Sequence, residues 1–307
     1  MKWPKWQQER LRLQERLINH SQNNRELLGI ASPDALETLS LQMIASLRRL
    51  HYTKVRLLRP LSTNRANPES DLFDPELAAI HHHRQGNEDE AIWLIFLSVH
   101  FGKHAKWGWK RAQDVYSGLG EGSWTWDRVS SDPDAFCDWL RRRSDEIGGA
   151  FGNHRKYESL GADNAAGTGN VVRSYIRWIG PTKSHRQHFS KLVREGGNDP
   201  HAIFDAFYRS FTVARFGRLG KFDFLALLGR LRFAPIAPGS AYLGEATGPL
   251  KGARLLYDNN TNSRTPGRKL DQYLTELDQD LGVGMQVLED SLCNWQKSPK
   301  NFIHFRG

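Results

Sequence analysis

The stretch EDEAIWLIFLSVH at residues 88–100 decides the fold class of this chain. From Ala91 to Leu97 its side chains are all apolar, without a polar interruption. A helix that is apolar on every side has to be buried on every side. The stretch therefore predicts a buried helix, and the segments on both sides of it can be judged against that expectation.

Helical patterns extend in both directions from this stretch. Before it, residues 5–50 carry apolar side chains at roughly helical spacing, and Ser32-Pro33-Asp34 marks a helix start. After it, Ser131-Asp132-Pro133-Asp134 starts another helix. Further helices are predicted at Val171–Ile179, Lys183–Arg194, His201–Phe211, Phe222–Leu231, Arg268–Leu281 and Val283–Gln296. Because convincing strand alternation is absent, we predict an all-α fold.

One segment suggests a domain boundary. Residues 58–75 are rich in Pro, Asn and Ser, a composition typical of linkers. We therefore predict an N-terminal helical arm with its linker at residues 1–75, followed by the main helical domain at residues 76–307.

The charge balance indicates a polyanionic partner. The chain of 307 residues has 43 Lys and Arg against 34 Asp and Glu, a formal net charge of +9. Lys and Arg release counterions when they neutralise phosphates, so a basic excess favours nucleic acid as the partner. The alternative is a charge that serves solubility alone.

Other counts point to the cytoplasm and against a metal or cofactor. Two cysteines, Cys137 and Cys293, cannot form a disulfide framework. No apolar run approaches the roughly 20 residues that a membrane span needs, and the first residues lack a signal-peptide pattern. Three consecutive histidines, His81–His83, point in different directions on a helix. We predict a cytoplasmic protein with no metal site and no cofactor.

Two loops, Lys103–Trp109 and Asn153–Tyr157, interleave cations with aromatic rings. This mixture suits phosphate contacts beside base stacking. A third segment, Arg215–Asp223, combines cations and glycines with one acid, and a fourth, Thr247–Ala253, is a glycine-rich turn before a helix that suits a phosphate. Surface turns without a ligand are the alternative for the last two. The residues predicted to bind DNA are Lys103, His104, Lys106, Trp107, Trp109, Asn153, His154, Arg155, Lys156, Tyr157, Arg215, Arg218, Lys221, Gly248, Lys251 and Gly252.

The last predicted helix carries a polar stripe. Gln286, Glu289, Asp290, Cys293 and Lys297 follow at i, i+3, i+4, i+7 and i+11, which keeps them on one side of a helix. If this stripe is buried, at least one acid has a perturbed pKa. The alternative is a solvated face. We expect Cys293 to pack as a small apolar group and not to act as a nucleophile.

Taken together, these motifs resemble the alpha-glutamyl/putrescinyl-thymine pyrophosphorylase family, clade 3, a group related to helix-hairpin-helix DNA glycosylases. The resemblance covers roughly residues 80–307. It is carried by FGKHAKWGW at 101–109, DVYSGLGEGSWTW at 114–126, FGNHRKYESL at 151–160, RFGRLGKFDFL at 215–225, the segment 234–253 and LGVGMQVLEDSLCNWQKSPKNF at 281–302. It implies a helix-hairpin-helix glycosylase-like domain that acts on hypermodified bases in phage DNA.

The resemblance also implies a mechanism of defence. Members like this chain look like antiphage glycosylases, which remove bulky bases such as glucosylated hydroxymethylcytosine and leave abasic sites. Glycosidic cleavage needs a carboxylate that stabilises a sugar cation or activates water. Our candidates are Glu289 or Asp290, then Asp223, with Gln286 and Lys297 holding water or the departing base.

Two rival functions stay open at this point. One is a transferase that builds hypermodified thymine by exchanging a pyrophosphate-activated group for an amine, as the family name indicates. The other is a DNA-binding module without catalysis.

Overall fold

A computed structural model of the chain describes residues 3–305, and within them the regular elements are all helical. The α-helices, α1 to α14 in chain order, span Gln7–Asn23, Pro33–Leu58, Pro75–Arg84, Glu88–Phe101, Lys110–Ser117, Trp126–Ser131, Pro133–Arg143, Thr168–Ile179, His185–Gly196, Pro200–Ser210, Arg218–Arg230, Gly248–Asp258, Gly267–Leu281 and Met285–Trp295. In this part of the chain β-structure is limited to two isolated bridges, His104–Gly108 and Ser159–Gly167. The all-α prediction is confirmed.

Helix α4 is the helix predicted from the stretch 88–100, and its apolar run is buried along its whole length. Its aromatic side chains stack with one another and with rings from other segments. The Phe96 ring centre lies 5.5 Å from that of Trp93, 3.7 Å from that of Tyr175 and 5.0 Å from that of Phe216. Aromatic pairs contribute about 0.5–1.5 kcal/mol each beyond the burial of their area, so α4 organises the core around it.

Two helix starts lie where the sequence placed them. Helix α2 begins at Pro33, and the Ser32 hydroxyl accepts a hydrogen bond from the Ala35 backbone N–H at 3.3 Å. Helix α7 begins at Pro133, and the Asp132 carboxylate accepts from the Ala135 N–H at 2.9 Å. Each side chain satisfies one N–H group that the first turn leaves without a partner.

Two other helices begin earlier than the sequence indicated. Helix α11 begins at Arg218 instead of Phe222, and α12 begins at Gly248 instead of Arg254, so the predicted glycine-rich turn at Thr247–Ala253 lies largely inside α12. The glycines there serve helix packing. A Cβ atom on Gly252 would lie 2.6 Å from the carbonyl carbon of Leu292, so the glycine lets α12 approach the backbone of α14.

The chain folds into two compact units. The two-segment unit combines residues 3–53 with 238–305, and the central unit is residues 54–237. These units divide at Thr53 and at Ala237. In the core of the two-segment unit, α1 and α2 share one apolar cluster with α12, α13 and α14. Among the described residues, no helix has both the length and the apolar character needed to cross a membrane.

Candidate active site

Two of the loops that the sequence marked lie side by side in the central unit. The Gly152 backbone N–H donates a hydrogen bond to the Phe101 carbonyl at 2.7 Å. Gly102 has a φ of +64°, which favours glycine, and a Cβ on Gly152 would lie 2.8 Å from the Gly102 carbonyl carbon. These glycines therefore allow loop 101–109 and loop 151–157 to meet backbone against backbone.

Arg155 connects these loops to the start of α11. Its buried side chain donates from Nε to the Val99 carbonyl at 2.9 Å and from Nη1 to the Arg215 carbonyl at 3.5 Å. The guanidinium carbon lies 4.4 Å from the centre of the Phe216 ring, and a Cβ on Gly220 would come within 2.9 Å of that carbon. Because a guanidinium stays protonated in proteins, Arg155 places a permanent positive charge inside the unit.

A cavity of about 330 Å³ lies where the three segments meet. This volume is at the lower end of the range for small-molecule sites. Six of the residues singled out in the sequence line it, and they come from loop 101–109, loop 151–157 and α11. They are Lys103, Trp109, Asn153, His154, Arg155 and Asp223. We refer to this space as the Asp223 cavity.

Asp223 is the carboxylate of this cavity that forms no structural hydrogen bond or ion pair within the described residues. Its side chain is half-buried, and no described residue forms a hydrogen bond or ion pair with it. Burial raises the pKa of the Asp223 carboxyl, and the positive charges of Arg155, His154, Arg218 and Arg230 oppose that rise. A carboxyl group with a perturbed pKa in a cleft is typical of catalytic acids and bases.

The other two carboxylates of the cavity are engaged by Arg56. The Arg56 guanidinium lies 3.2 Å from the Asp74 carboxylate and 2.7 Å from the Glu76 carboxylate. Asp74 also accepts hydrogen bonds from the backbone N–H groups of Glu76 and Leu77, both at 3.1 Å, as the N-cap of α3. These acids therefore hold structure, which leaves Asp223 as the candidate for chemistry.

Sequence reasoning missed several residues that line the cavity. They are Arg56, Asp74, Glu76, Leu227 and Arg230. The sequence did contain one signal, since Asp74 followed by Pro75 is a helix start of the same kind as Ser32-Pro33 and Asp132-Pro133. The sequence analysis interpreted this segment as a linker instead. The ion pair between Arg56 and Asp74 depends on the tertiary structure, so the sequence alone could not show it.

Two aromatic residues of the loops point into solvent. The Trp107 side chain is 49% exposed and that of Tyr157 is 80% exposed. Each ring has a lysine ammonium over it, with Lys106 at 4.7 Å and Lys156 at 5.0 Å from the ring centres. An exposed aromatic ring beside a cation is suited to stacking on a base next to a phosphate.

The remaining cations predicted in this unit have partners inside the protein. Arg215 has a φ of +64°, and its side chain lies 3.0 Å from the Glu158 carboxylate. Lys221 lies over the Tyr208 ring at 5.2 Å, and Arg218 lies over the Phe222 ring at 4.7 Å. His104, which was also predicted to bind DNA, accepts hydrogen bonds from the backbone N–H groups of Lys106 and Trp107. These hydrogen bonds hold the shape of its loop.

The predicted acidic stripe belongs to the two-segment unit, whereas the Asp223 cavity is lined by the central unit alone. Glu289 is buried, and Gln286 is half-buried. Asp290 forms an ion pair with Arg49 of α2 and accepts a hydrogen bond from Asn294 at 3.0 Å. Lys297 is exposed and donates to the Asn294 side-chain oxygen at 3.1 Å.

The predicted phosphate site on α12 also belongs to the two-segment unit. Lys251 is exposed, while Gly252 is buried against α14. A Cβ on Gly248 would lie 2.6 Å from the Cys293 sulfur, so this glycine too permits close packing. The Cys293 sulfur therefore packs against this glycine.

Metal-ligating side chains do not cluster in the part of the chain that the structure describes, where no three of His, Cys, Asp and Glu stand close enough to hold an ion. The three consecutive histidines behave as separate side chains. The His81 and His82 rings are nearly perpendicular, and His83 packs against Phe233 with ring centres 4.8 Å apart.

Comparison with known proteins gives one family. The family described as alpha-glutamyl/putrescinyl thymine pyrophosphorylase clade 3 matches this chain over residues 34–307. No curated protein and no solved structure matches the chain. The matched range includes the residues that line the Asp223 cavity as well as α12 to α14.

Proposed function

Because the chain belongs to the alpha-glutamyl/putrescinyl thymine pyrophosphorylase clade 3 family, we propose that it is an enzyme acting on a hypermodified base in DNA, and that it removes this base as a DNA glycosylase. The substrate we propose is phage DNA that carries a bulky base such as glucosylated hydroxymethylcytosine. The product is an abasic site, which serves antiviral defence. The observation that carries this proposal is the free carboxylate of Asp223 in a cavity with cations around it.

The chemistry of glycosidic cleavage fits this carboxylate. Water attacks the sugar carbon, the bond from that carbon to the base nitrogen breaks, and the transition state carries positive charge on the sugar. An ionised Asp223 would stabilise that charge or take a proton from the water. The nearby cations Arg155 and Arg230 favour the ionised form, while burial keeps the acid poised to accept a proton.

The exposed aromatic residues suit the extrusion of a base. An enzyme that reaches an atom inside a duplex has to flip the nucleotide out, which costs a few kcal/mol of stacking and pairing. Tyr157 or Trp107 would fill the gap in the stack, while Lys106 and Lys156 contact phosphates. The centre of the Trp109 ring lies 5.7 Å from the Lys103 ammonium. Because Trp109 lines the cavity, it would face the flipped base.

The test uses three otherwise identical DNA duplexes, unmodified, hydroxymethylated and glucosylated, followed by alkali to cleave at abasic sites. We expect cleavage of one modified duplex, and we expect Asp223→Asn to abolish it. The control is Asp138→Asn, because Asp138 is an exposed acid of the same unit that pairs with Arg141. Cleavage of none of the three duplexes would contradict the proposal, and full activity in Asp223→Asn would remove this residue from it.

The acids of α14 provide the alternative assignment of the catalytic carboxylate. If Glu289 or Asp290 performs the chemistry, then Glu289→Gln or Asp290→Asn abolishes cleavage and Asp223→Asn does not. The ion pair between Asp290 and Arg49 favours a structural role for that acid. The same three duplexes distinguish the two assignments.

A second candidate function rests on the cations of the cavity. Lys103, Arg155 and Arg230 line a space of about 330 Å³, and grouped cations bind pyrophosphate well. In this case an amine displaces pyrophosphate from an activated group on thymine, and Asp223 accepts the proton of the amine. This reaction releases pyrophosphate and leaves no alkali-sensitive sites, so a phosphate assay with added pyrophosphatase distinguishes it from base excision.

A further inference from the structure

We propose that a groove along α9 binds the phosphodiester backbone of DNA, as a second contact surface that shares no lining residue with the Asp223 cavity. The groove extends the proposed function, since DNA is the ligand of both sites. It has a volume of about 870 Å³ and lies entirely within the central unit. Its lining residues lie between Trp178 and Arg194, at the end of α8 and along α9.

The polar side chains that line the α9 groove are of the types that contact phosphates in protein–DNA complexes. Three cations line it, Arg186, Lys191 and Arg194, and no Asp or Glu is among the lining residues. Three hydroxyl groups, from Thr182, Ser184 and Ser190, also line it. Arg, Lys, Ser and Thr side chains supply a large share of the protein–DNA hydrogen bonds to phosphate oxygens.

Two of the three cations of this groove, unlike other arginines of the same unit, have no acidic partner within the described residues. Arg141 lies 2.7 Å from Asp163, and Arg173 lies 2.8 Å from Asp134. By contrast, Arg186 and Arg194 form no ion pair with any residue in the described range 3–305. Lys191 forms one ion pair, with Glu195 of its own helix at 4.0 Å. The positive charges of Arg186 and Arg194 are therefore available to an anionic ligand.

The spacing of these residues suits a strand of phosphates. Arg186, Ser190 and Arg194 follow at i, i+4 and i+8, which places them in one row along the helix. Eight residues of helix rise by about 12 Å. One strand of B-DNA carries a phosphate about every 3.4 Å along the axis, so the row is as long as about three to four phosphate spacings.

Nucleic acid fits this groove better than an acidic protein does. Binding surfaces for proteins usually present an aromatic or aliphatic anchor that fills a pocket of the partner. The large apolar side chains of the groove, Trp178 and Ile179, are buried. The large hydrophobic residues exposed elsewhere among residues 3–305, such as Trp107 and Tyr157, do not line it.

The test measures binding of a fluorescent unmodified duplex of 20 base pairs at several salt concentrations. The groove variant is Arg186→Gln/Lys191→Gln/Arg194→Gln. The control variant is Arg141→Gln/Arg143→Gln/Arg173→Gln, which removes the same charge from paired positions of the same unit. Melting curves check that both variants fold.

We expect the groove variant to bind at least tenfold more weakly at low salt. The slope of log K against log salt concentration should flatten by about 0.9 for each phosphate that the variant no longer neutralises, and the control should stay within about twofold of wild type. Wild-type affinity and slope in the groove variant would overturn the proposal. Equal weakening in the two variants would overturn it as well. Polyglutamate, measured in the same way, represents an acidic polypeptide, and a decrease confined to its binding would also overturn the proposal.

This experiment does not depend on catalysis. A groove variant that binds DNA weakly supports the groove even if no duplex is cleaved after alkali. Conversely, wild-type binding in the groove variant overturns the groove and leaves the excision assay with Asp223→Asn to decide the proposed function. The two inferences therefore fail separately.

Discussion

Replacing Gly220 by alanine tests whether the contact between Arg155 and α11 controls the Asp223 cavity. The new Cβ would be closest to Nη2 of Arg155 and would lie 2.8 Å from its Nη1 and 2.9 Å from its Cζ. Carbon atoms pack favourably at about 3.5–4.0 Å, so the guanidinium carbon has to move by roughly 0.6–1.1 Å. That movement strains its hydrogen bond to the Val99 carbonyl, 2.9 Å long.

The magnitude follows from opposing effects. Alanine in place of glycine favours a helix by about 0.5–1 kcal/mol, whereas overpacking a buried site costs about 1–3 kcal/mol. The net loss of stability is about 1 kcal/mol, or roughly 2–4 °C in Tm for a domain of this size. Displacement of a supporting group by about 1 Å can lower a rate by about 100-fold. We therefore expect a small fall in Tm and a much larger fall in turnover.

The assay is the rate of formation of alkali-sensitive sites, measured beside a thermal melt. Gly217→Ala is the matched control, because Gly217 has a φ of −65° and no atom lies within 4 Å of its Cβ position. Turnover at the wild-type rate in Gly220→Ala, with an unchanged Tm, would refute the inferred coupling between Arg155 and the cavity. Equal losses in both variants would attribute the effect to the start of α11 in general.

Four further predictions concern single residues. Because burial raises the pKa of the Asp223 carboxyl, the folded chain holds this proton more tightly than the unfolded chain, and the charged form lowers stability at neutral pH. Asp223→Asn should therefore raise the stability at pH 7 by about 0.5–2 kcal/mol, an advantage that shrinks as the pH falls toward about 4; a lower Tm at pH 7 would contradict it. Gly252→Ala should destabilise the two-segment unit by about 1–3 kcal/mol in urea unfolding, since its Cβ meets the backbone of Leu292, and an unchanged midpoint would count against this packing. Tyr157→Ala should slow excision from duplex DNA more than from single strands, because only the duplex leaves a gap to fill, and equal slowing would remove Tyr157 as the wedge. A lyase would use a lysine amine that forms an imine with the sugar, which borohydride traps as a covalent adduct. We expect no adduct, since Lys297 is exposed, is hydrogen-bonded to Asn294 and does not line the Asp223 cavity, whereas an adduct that disappears in Lys297→Met would establish a lyase.

The features of the fold that depend on short stretches of sequence were predictable. The apolar run of α4 indicates burial by itself, and Ser32-Pro33 and Asp132-Pro133 carry the chemistry of a helix start in adjacent residues. Glycine misled the prediction at α12. Gly248 and Gly252 look like turn residues in the sequence, yet their purpose depends on Cys293 and Leu292 of another helix.

In the candidate site, too, the features that depend on short stretches were predictable and those that depend on tertiary contacts were not. Loops 101–109 and 151–157 were identified by their composition, and the segment at 215–223 was identified by one acid among cations. That Arg155 would join them depends on Gly102, Gly152 and Gly220, whose contacts are tertiary. The sequence also ranked Asp290 above Asp223. It could not show that Arg49, 241 residues earlier in the chain, pairs with the former while the latter has no such partner.

The two-segment unit has a consequence for how the polypeptide emerges from the ribosome. Leu13 and Leu17 of α1 share a cluster with Leu274 and Leu277 of α13, so this core cannot close until more than two hundred intervening residues have been synthesised. The central unit is continuous and can complete its own core first. During translation α1 therefore exposes apolar side chains for longer than any helix of residues 54–237, which makes it the segment of these two units most in need of a chaperone.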